Sequence, residues 1–404
     1  MTITIAPGKT AQDVRAAITP IWHYFGFVPT EEAVSDFTQL MTPGRALVAR
    51  DGDVLAGGCG SFPFTLTTPG GHVKAAGLSV VGVLPTHRRQ GILSGLMRRF
   101  LDDCRSRGEP VAYLWASEEP IYGRFGFGVT ALSADIHVAR DRSRMLADQR
   151  GDIGARMVPL AGAHDVLAPI YDRVAAITPG AFARTEDWWR RKVLTDPPWQ
   201  RKDGGFKQCV VIELDGAPAA YAFYRIFSQV ERGVPQGGVE VIETVAVSPD
   251  ATVALWRFLF DIDLSSWIKA SFLPLDHPLV LLAAEARRLN FRQRDGTWLR
   301  FIDLETALSA RAYGPGAEIV IEVEDTLCPW NTGRWLIDTG GVRRTTKDAD
   351  LRCGVDALAS AYLGGFSWRQ IVASSRAAAR DEDAIRRADR VFERRAAPWC
   401  PEIF

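Results

Sequence analysis

The stretch Val81-Gly82-Val83-Leu84-Pro85-Thr86-His87-Arg88-Arg89-Gln90-Gly91-Ile92-Leu93 decides how this chain is read. It has the form of a strand that stops at Pro85, a basic loop closed by a glycine, and the first turn of a helix. Ile92, Leu93, Leu96, Met97, Phe100, Leu101 and Cys104 recur at helical spacing, while Arg98, Arg99, Asp102, Asp103 and Arg105 fill the other face. Gly108 is the expected stop. This order leaves free backbone N–H groups and two guanidinium groups at a helix N-terminus. A diphosphate is held there by amides, by the helix dipole and by bidentate arginines. The same signal also fits a basic turn on any α/β protein.

The bulk composition narrows what such a loop serves. A chain of 404 residues exceeds one ordinary core, so roughly two to three domains are expected. Hydrophobic content of 47% and charged content of 24% are those of a soluble globular protein. With 48 basic and 48 acidic residues the net charge is zero. No overall positive field gathers nucleic acid or an anionic membrane, so an anion site must be local. The N-terminal Met1-Thr2-Ile3-Thr4-Ile5-Ala6-Pro7 lacks a charged region followed by an apolar core, and no long apolar run occurs. Neither a signal peptide nor a membrane span is expected. Cys59, Cys104, Cys209, Cys328, Cys353 and Cys400 are scattered without a C-x-x-C pair or a His/Cys cluster. Free thiols in a reducing cytoplasm, and no metal site, are the expectation.

Along the chain, residues 1–145 read as one α/β unit. A helical, aromatic-rich segment precedes a hairpin turning at Asp51-Gly52-Asp53. The strand, loop and helix above come next, then the strand Val111-Ala112-Tyr113-Leu114-Trp115-Ala116 and the run Ser117-Glu118-Glu119-Pro120-Ile121-Tyr122-Gly123-Arg124-Phe125-Gly126. Residues 140–152 resemble a charged linker. Residues 146–300 repeat this order, with a hairpin at Asp215-Gly216, the strand ending Val245-Ala246-Val247-Ser248-Pro249, and an apolar helix. Here only Asp250-Ala251 stands where the first unit has His87-Arg88-Arg89-Gln90-Gly91. Without the arginines and glycine the second unit reads as structural. Residues 301–404 form an α+β third unit, starting with a strand at Phe301-Ile302-Asp303-Leu304. The apolar ending Trp399-Cys400-Pro401-Glu402-Ile403-Phe404 is expected to dock rather than fray.

The first loop resembles the acyl-CoA diphosphate loop of the GCN5-related N-acetyltransferases (GNAT), with signature R/Q-x-x-G-x-G/A. Arg88, Gly91 and the small Ser94 fall near its slots, in an imperfect copy of the frame. Together with the degenerate second unit and the α+β third unit, the whole chain resembles the Eis (enhanced intracellular survival) family of acetyltransferases. That resemblance implies two tandem GNAT-like domains, the second degenerate, followed by a sterol-carrier-protein-like domain. It implies acetyl-CoA as cosubstrate, contacted at Val81, Gly82, Val83, Arg88, Arg89, Gln90, Gly91, Ile92, Leu93, Ser94, Ser117 and Glu118. A splayed strand offering backbone N–H groups to the pantetheine accounts for the first three. The resemblance also implies Tyr122 as general acid, the C-terminal carboxylate of Phe404 as general base, and a homohexamer. Glu119-Pro120 departs from the glycine-rich spacer expected before the tyrosine.

A phenol with pKa of about 10 matches the basicity of a departing thiolate. Tyr122 otherwise serves as a core tyrosine, and the Phe404 end otherwise packs with its carboxylate in water. On the substrate side Trp22, Phe25, Phe27 and Phe37, with acidic residues interleaved, fit a pocket for a cationic amine, and equally a plain amphipathic helix pair. Glu402 is a further substrate-side candidate. The resemblance points to primary amines of aminoglycosides or similar polyamines. Lysine acetylation on proteins or peptides is the alternative, and a lipid- or sterol-binding module a further one.

Overall fold

The computed structural model describes residues 2–42, 44–146, 153–314, 318–393 and 396–404. The end of the charged linker, residues 147–152, lies outside the described residues, as do Arg394 and Arg395, where the charge pattern from Asp381 to Arg395 leads the sequence to expect the end of a helix. The chain divides into two compact units. One holds Met1–Ala131, Thr297–Arg395 and Phe404; the other holds Leu132–Gly296 and Ala396–Ile403.

In the first unit β1 (Ile3–Pro7), α1 (Ala11–Tyr24), α2 (Glu31–Leu40), β2 (Ala46–Asp51), β3 (Val54–Thr68), β4 (Gly71–Val83), α3 (Ile92–Ser106), β5 (Val111–Trp115), α4 (Glu119–Tyr122) and β6 (Gly128–Val129) follow in order. β1 through β4 pair antiparallel in sequence, and β4 pairs parallel with β5. The helix α3 connects that parallel pair, as a crossover requires. Its buried face is Ile92, Leu96, Met97, Phe100, Leu101 and Cys104, and this face packs in one core with Tyr122, Phe125 and Phe127. Gly108 takes φ of +66° past its end, the left-handed stop that glycine permits.

The strand beyond β5 in this sheet is Thr297–Phe301, which pairs antiparallel with both β5 and β6. The expectation of a strand at residues 301–304 opening a third unit is therefore corrected. Phe301 ends a strand of the first sheet, and Leu304–Ser309 is a helix capped by the Asp303 side chain at Thr306 N. Three apolar residues around one aspartate resemble a strand edge, but Asp303 is a better N-cap than strand residue. The same unit carries a separate five-stranded sheet, with the strand Ile319–Glu324 at its centre and helices Val355–Tyr362, Trp368–Ala373 and Glu382–Val391.

The second unit holds a seven-stranded sheet of the same kind. Its parallel pair is Gly238–Ala246 with Trp267–Pro274, joined through the helix Pro249–Phe260. Leu132–Ala139, which the sequence groups with residues 1–145, pairs here with Trp267–Pro274. Each sheet thus takes a strand from a stretch of sequence lying next to the other's.

Candidate active site

The β4–β5 ladder is short. It pairs residues 75–77 with 111–113 and stops, although β4 continues to Val83 and β5 to Trp115. The two strands splay beyond that point. A bulge helps to open them: Gly58 faces Gly82 and Gly60 faces Ser79, so β4 carries an extra residue. Val80 is forced there to φ of +52°, a strained conformation for a β-branched residue.

On its other flank β4 is pressed against α1. A Cβ at Gly82 would stand 2.5 Å from the Ile21 nitrogen, and one at Gly58 2.5 Å from the Ala17 oxygen. Glycine at both ladder partners is what lets the helix lie this close. The end of α1 then reaches the splay, where the Tyr24 hydroxyl donates to the Val83 carbonyl at 2.7 Å.

The splay opens into a cavity of about 650 Å³. Its walls include Val81, Gly82, Val83, Arg88, Arg89, Gly91, Ile92, Leu93, Ser94, Ser117, Glu118, Tyr122 and Phe25, all sequence candidates. Gln90 is exposed and outside these walls. Ile21, Tyr24, His87, Ile121 and Arg124 join the lining without having been assigned from sequence. For His87 and Arg124 a signal existed, since both carry side-chain nitrogens inside the loop and the tyrosine-bearing run.

The anion end of the cavity is the start of α3. Gly91 is its N-cap at φ of +78°, with no side chain satisfying the first-turn amides. Arg89 also adopts a positive φ, +62°. Left-handed residues at this turn let consecutive N–H groups converge on an anion. Arg88, Arg89 and Arg124 are exposed and form no ion pair among the described residues. Arg124 lies over the Phe125 ring at 5.0 Å, while the Arg88 and Arg89 guanidinium groups and the uncapped helix start suit the diphosphate of an acyl-CoA.

Tyr122, the last residue of α4, lines the same cavity. Phe125 and Phe127 are buried on either side of the Gly126 turn, and the Phe127 ring meets Tyr122 edge-on at 5.8 Å. These anchors hold the tyrosine in a largely buried position. Burial, with smaller contributions from Cys59 and Glu118, pushes its hydroxyl up to about 12. The phenol therefore keeps its proton throughout the neutral range.

The remaining candidates are placed elsewhere. Trp22 packs edge-on against Phe27 and Phe37, at 6.5 and 6.2 Å between ring centres. Contacts then run from Phe37 to Phe62 and Phe64, and Phe64 meets the Phe404 ring at 4.9 Å. A terminal oxygen of Phe404 accepts from Ser79 Oγ at 3.0 Å. Phe404 does not line the 650 Å³ cavity. Its anchor Ser79 precedes Val81 by two residues on β4, across the bulged Val80. Glu402 lies in a buried cluster of the second unit. It accepts from Arg184 at 2.6 Å and from Trp188 Nε1 at 3.1 Å, while Arg184 also binds Glu243. Burial raises the Glu402 carboxyl above its ordinary range against the pull of Arg184.

The second unit shows what this wiring becomes without the loop. Its helix Pro249–Phe260 is capped by the Ser248 side chain, which accepts from Ala251 N at 3.2 Å. The crevice beside Thr244, Val245 and Ala246 shrinks to about 200 Å³, with Ala397 and Trp399 of the chain's last segment among its walls. Trp399 Nε1 donates to the Phe272 carbonyl and Ala397 N to Asp276 Oδ2.

Splayed parallel strands, an uncapped helix start with arginines, and a proton-bearing tyrosine on one cavity define an acyl-CoA-dependent acyltransferase of the GNAT class. Family matches agree: an acetyltransferase (GNAT) domain over residues 9–130, another over 180–301, and a sterol carrier protein domain over 304–401. The chain is 40% identical to an uncharacterized N-acetyltransferase of Streptomyces avermitilis, over 94% of each protein. It is 32% identical to the N-acetyltransferase Eis of Mycobacterium tuberculosis, over 91% of this chain and 90% of that one. The crystal structure of Eis1 from Mycobacterium abscessus superposes with a TM-score of 0.85 at 35% identity, covering 99% of this chain and 100% of that one. The chain belongs to the Eis family of GNAT N-acetyltransferases. It is an acyltransferase, and its fold implies acetyl-CoA as cosubstrate. No described helix is long and apolar enough to cross a membrane.

Proposed function

We propose that the protein transfers the acetyl group of acetyl-CoA to primary amines of aminoglycosides or similar polyamines. Acetyl-CoA supplies a thioester acyl group and a thiolate leaving group. The start of α3 with Arg88 and Arg89 holds the diphosphate, and main-chain groups of Val81, Gly82 and Val83 align the pantetheine along the splay. The Phe404 carboxylate takes a proton from the incoming amine as its nitrogen bonds the acetyl carbon. Tyr122 gives its proton to the sulfur as the carbon–sulfur bond breaks, and proton exchange with water restores both groups. The observation that carries the reading is that the uncapped, arginine-flanked helix start and the protonated Tyr122 line the same cavity.

Phe25 in the cavity wall and the ring cluster of Trp22, Phe27 and Phe37 provide apolar surface for the amine substrate. A cytoplasmic homohexamer completes the reading, and light scattering on the purified protein checks the oligomer. The deciding experiment is thiol release from acetyl-CoA across a panel of aminoglycosides, polyamines and lysine peptides. Turnover confined to lysine peptides transfers the assignment to protein acetylation, and no turnover with any amine overturns it.

A further inference from the structure

The crevice of the second unit is walled by Trp399 but not filled by it. About 200 Å³ stays open beside Thr244, Val245 and Ala246. A dry cavity of about 150 Å³ admits a benzene ring, so the space suits a molecule of one ring and a short substituent. Most of the wall is apolar, with Val174, Val245, Leu255 and Trp256 beside Trp399. Of its three threonine hydroxyls, Thr178 Oγ1 donates to the Val174 carbonyl and Thr252 Oγ1 to the Ser248 carbonyl. The Thr244 hydroxyl has no partner among the described residues. His277, in the same wall, is 9% exposed. Leu279 N donates to its Nδ1 at 3.2 Å, which leaves the ring proton on Nε2. That N–H has no acceptor among the described residues. Trp256 meets the imidazole edge-on at 5.4 Å and fixes its plane.

A buried donor without an acceptor costs free energy, and a ligand that supplies the acceptor recovers it. The charges in the wall decide which acceptor fits. Burial lowers His277 from 6.5 to about 4, so its imidazole is neutral in the neutral range. Asp276 brings a carboxylate, which accepts from Ala397 N at 2.7 Å, and neither Lys nor Arg stands among the described lining residues. A second anion would meet repulsion and no cation, whereas a carbonyl oxygen accepts without charge. We propose that this crevice is a ligand site of its own, for a small neutral molecule with an apolar body and a carbonyl group, such as an aryl ketone or amide, recognised through the His277 Nε2–H and the Thr244 hydroxyl. The site is separate from the acetyl-CoA cavity and does not depend on the substrate assigned to the first unit.

The test titrates the full chain with acetophenone by calorimetry, in the presence of saturating coenzyme A to occupy the first cavity. Saturable binding of one acetophenone per chain is expected. It should be about tenfold tighter than for ethylbenzene, which keeps the shape and lacks the oxygen, as one hydrogen bond implies. Benzoate, which replaces the neutral carbonyl by a carboxylate, should bind at least tenfold more weakly than acetophenone. Thr244→Val and His277→Phe should each weaken acetophenone severalfold and leave ethylbenzene within about twofold. Thr244→Val keeps the shape of the wall and decides alone if His277→Phe does not fold. No saturable binding overturns the site, as does ethylbenzene or benzoate binding as tightly as acetophenone. Wild-type affinity for acetophenone in either folded variant overturns it as well.

Discussion

In the first unit the helix after the splayed strand begins at Gly91, with bare amides and two arginines before it. In the second, the equivalent helix begins at Ser248, whose hydroxyl takes the amide an anion would need, and Asp250 adds a negative charge to its first turn. The first splay opens on a cavity of about 650 Å³, and the second on about 200 Å³ with Trp399 in its wall. The parallel pair and the crossover helix are common to both. What separates the two crevices is therefore the chemistry of a few residues at one helix start together with the chain segment that walls the second. The second unit has turned its crevice to holding the chain's own last segment.

The comparison breaks most readily at Tyr122. Tyr122→Phe is expected to lower kcat by roughly a hundredfold to ten-thousandfold, the usual range for a lost general acid. Acetyl-CoA affinity by calorimetry should stay within about twofold, and an equal loss in both would make the tyrosine a cofactor contact instead. Replacing Arg88 and Arg89 by alanine should raise the KM for acetyl-CoA roughly tenfold for each guanidinium lost. Asp250→Ala in the second unit should leave that KM where it was.

The acid side sharpens the contrast through His277, which lies in the wall of the second crevice. Burial depresses it from 6.5 to about 4, and its Nδ1 accepts from Leu279 N. A depressed folded value means that the unfolded chain binds the proton first. The stability His277 contributes is thus complete above pH 6.5 and is lost as pH falls toward 4. The loss is on the order of 3 kcal/mol. Urea midpoints at pH 7 and pH 4 should show this fall in the wild type and a flatter profile in His277→Gln. An unchanged pH slope would remove the buried histidine as its source.

Ser248→Ala should cost about 1 kcal/mol of second-unit stability, as a lost N-cap does, with acetyl-CoA binding untouched. The smallest expected effect is none. Ser248→Gly combined with Asp250→Arg should still bind a single acetyl-CoA per chain, because Trp399 stands in the crevice. A second equivalent by calorimetry would show that the loop alone had disabled it.

Much of the candidate site was legible because it is local in the chain. The residues from Val81 to Ser94 carry their own strand, turn and helix signals, and the cavity gathers most of them. The five lining residues that sequence did not assign are contributed by the end of α1, by the loop itself and by the turn beside Tyr122. Only their approach in space gives them a common purpose. The reverse happened to Glu402, where a carboxylate near the chain's end looked available to a substrate and is instead bound by Arg184 and Trp188.

Sequence alone determined the elements with a period: the amphipathic face of α3, the glycine that ends it, the hairpins, and the repeat of strand and helix that lost its arginines. These follow from spacing within a few residues, which local backbone sterics and side-chain burial enforce. Tertiary structure decided what depends on partners far along the chain. Thr297–Phe301 completes the first sheet beside β5, and Leu132–Ala139 crosses to the second. Trp399 closes a crevice and Phe404 finds its slot at Ser79. A strand edge or an apolar tail can satisfy its hydrogen bonds and bury its rings against many surfaces. Which surface it meets is set by the fold of the whole chain, and no local period records it.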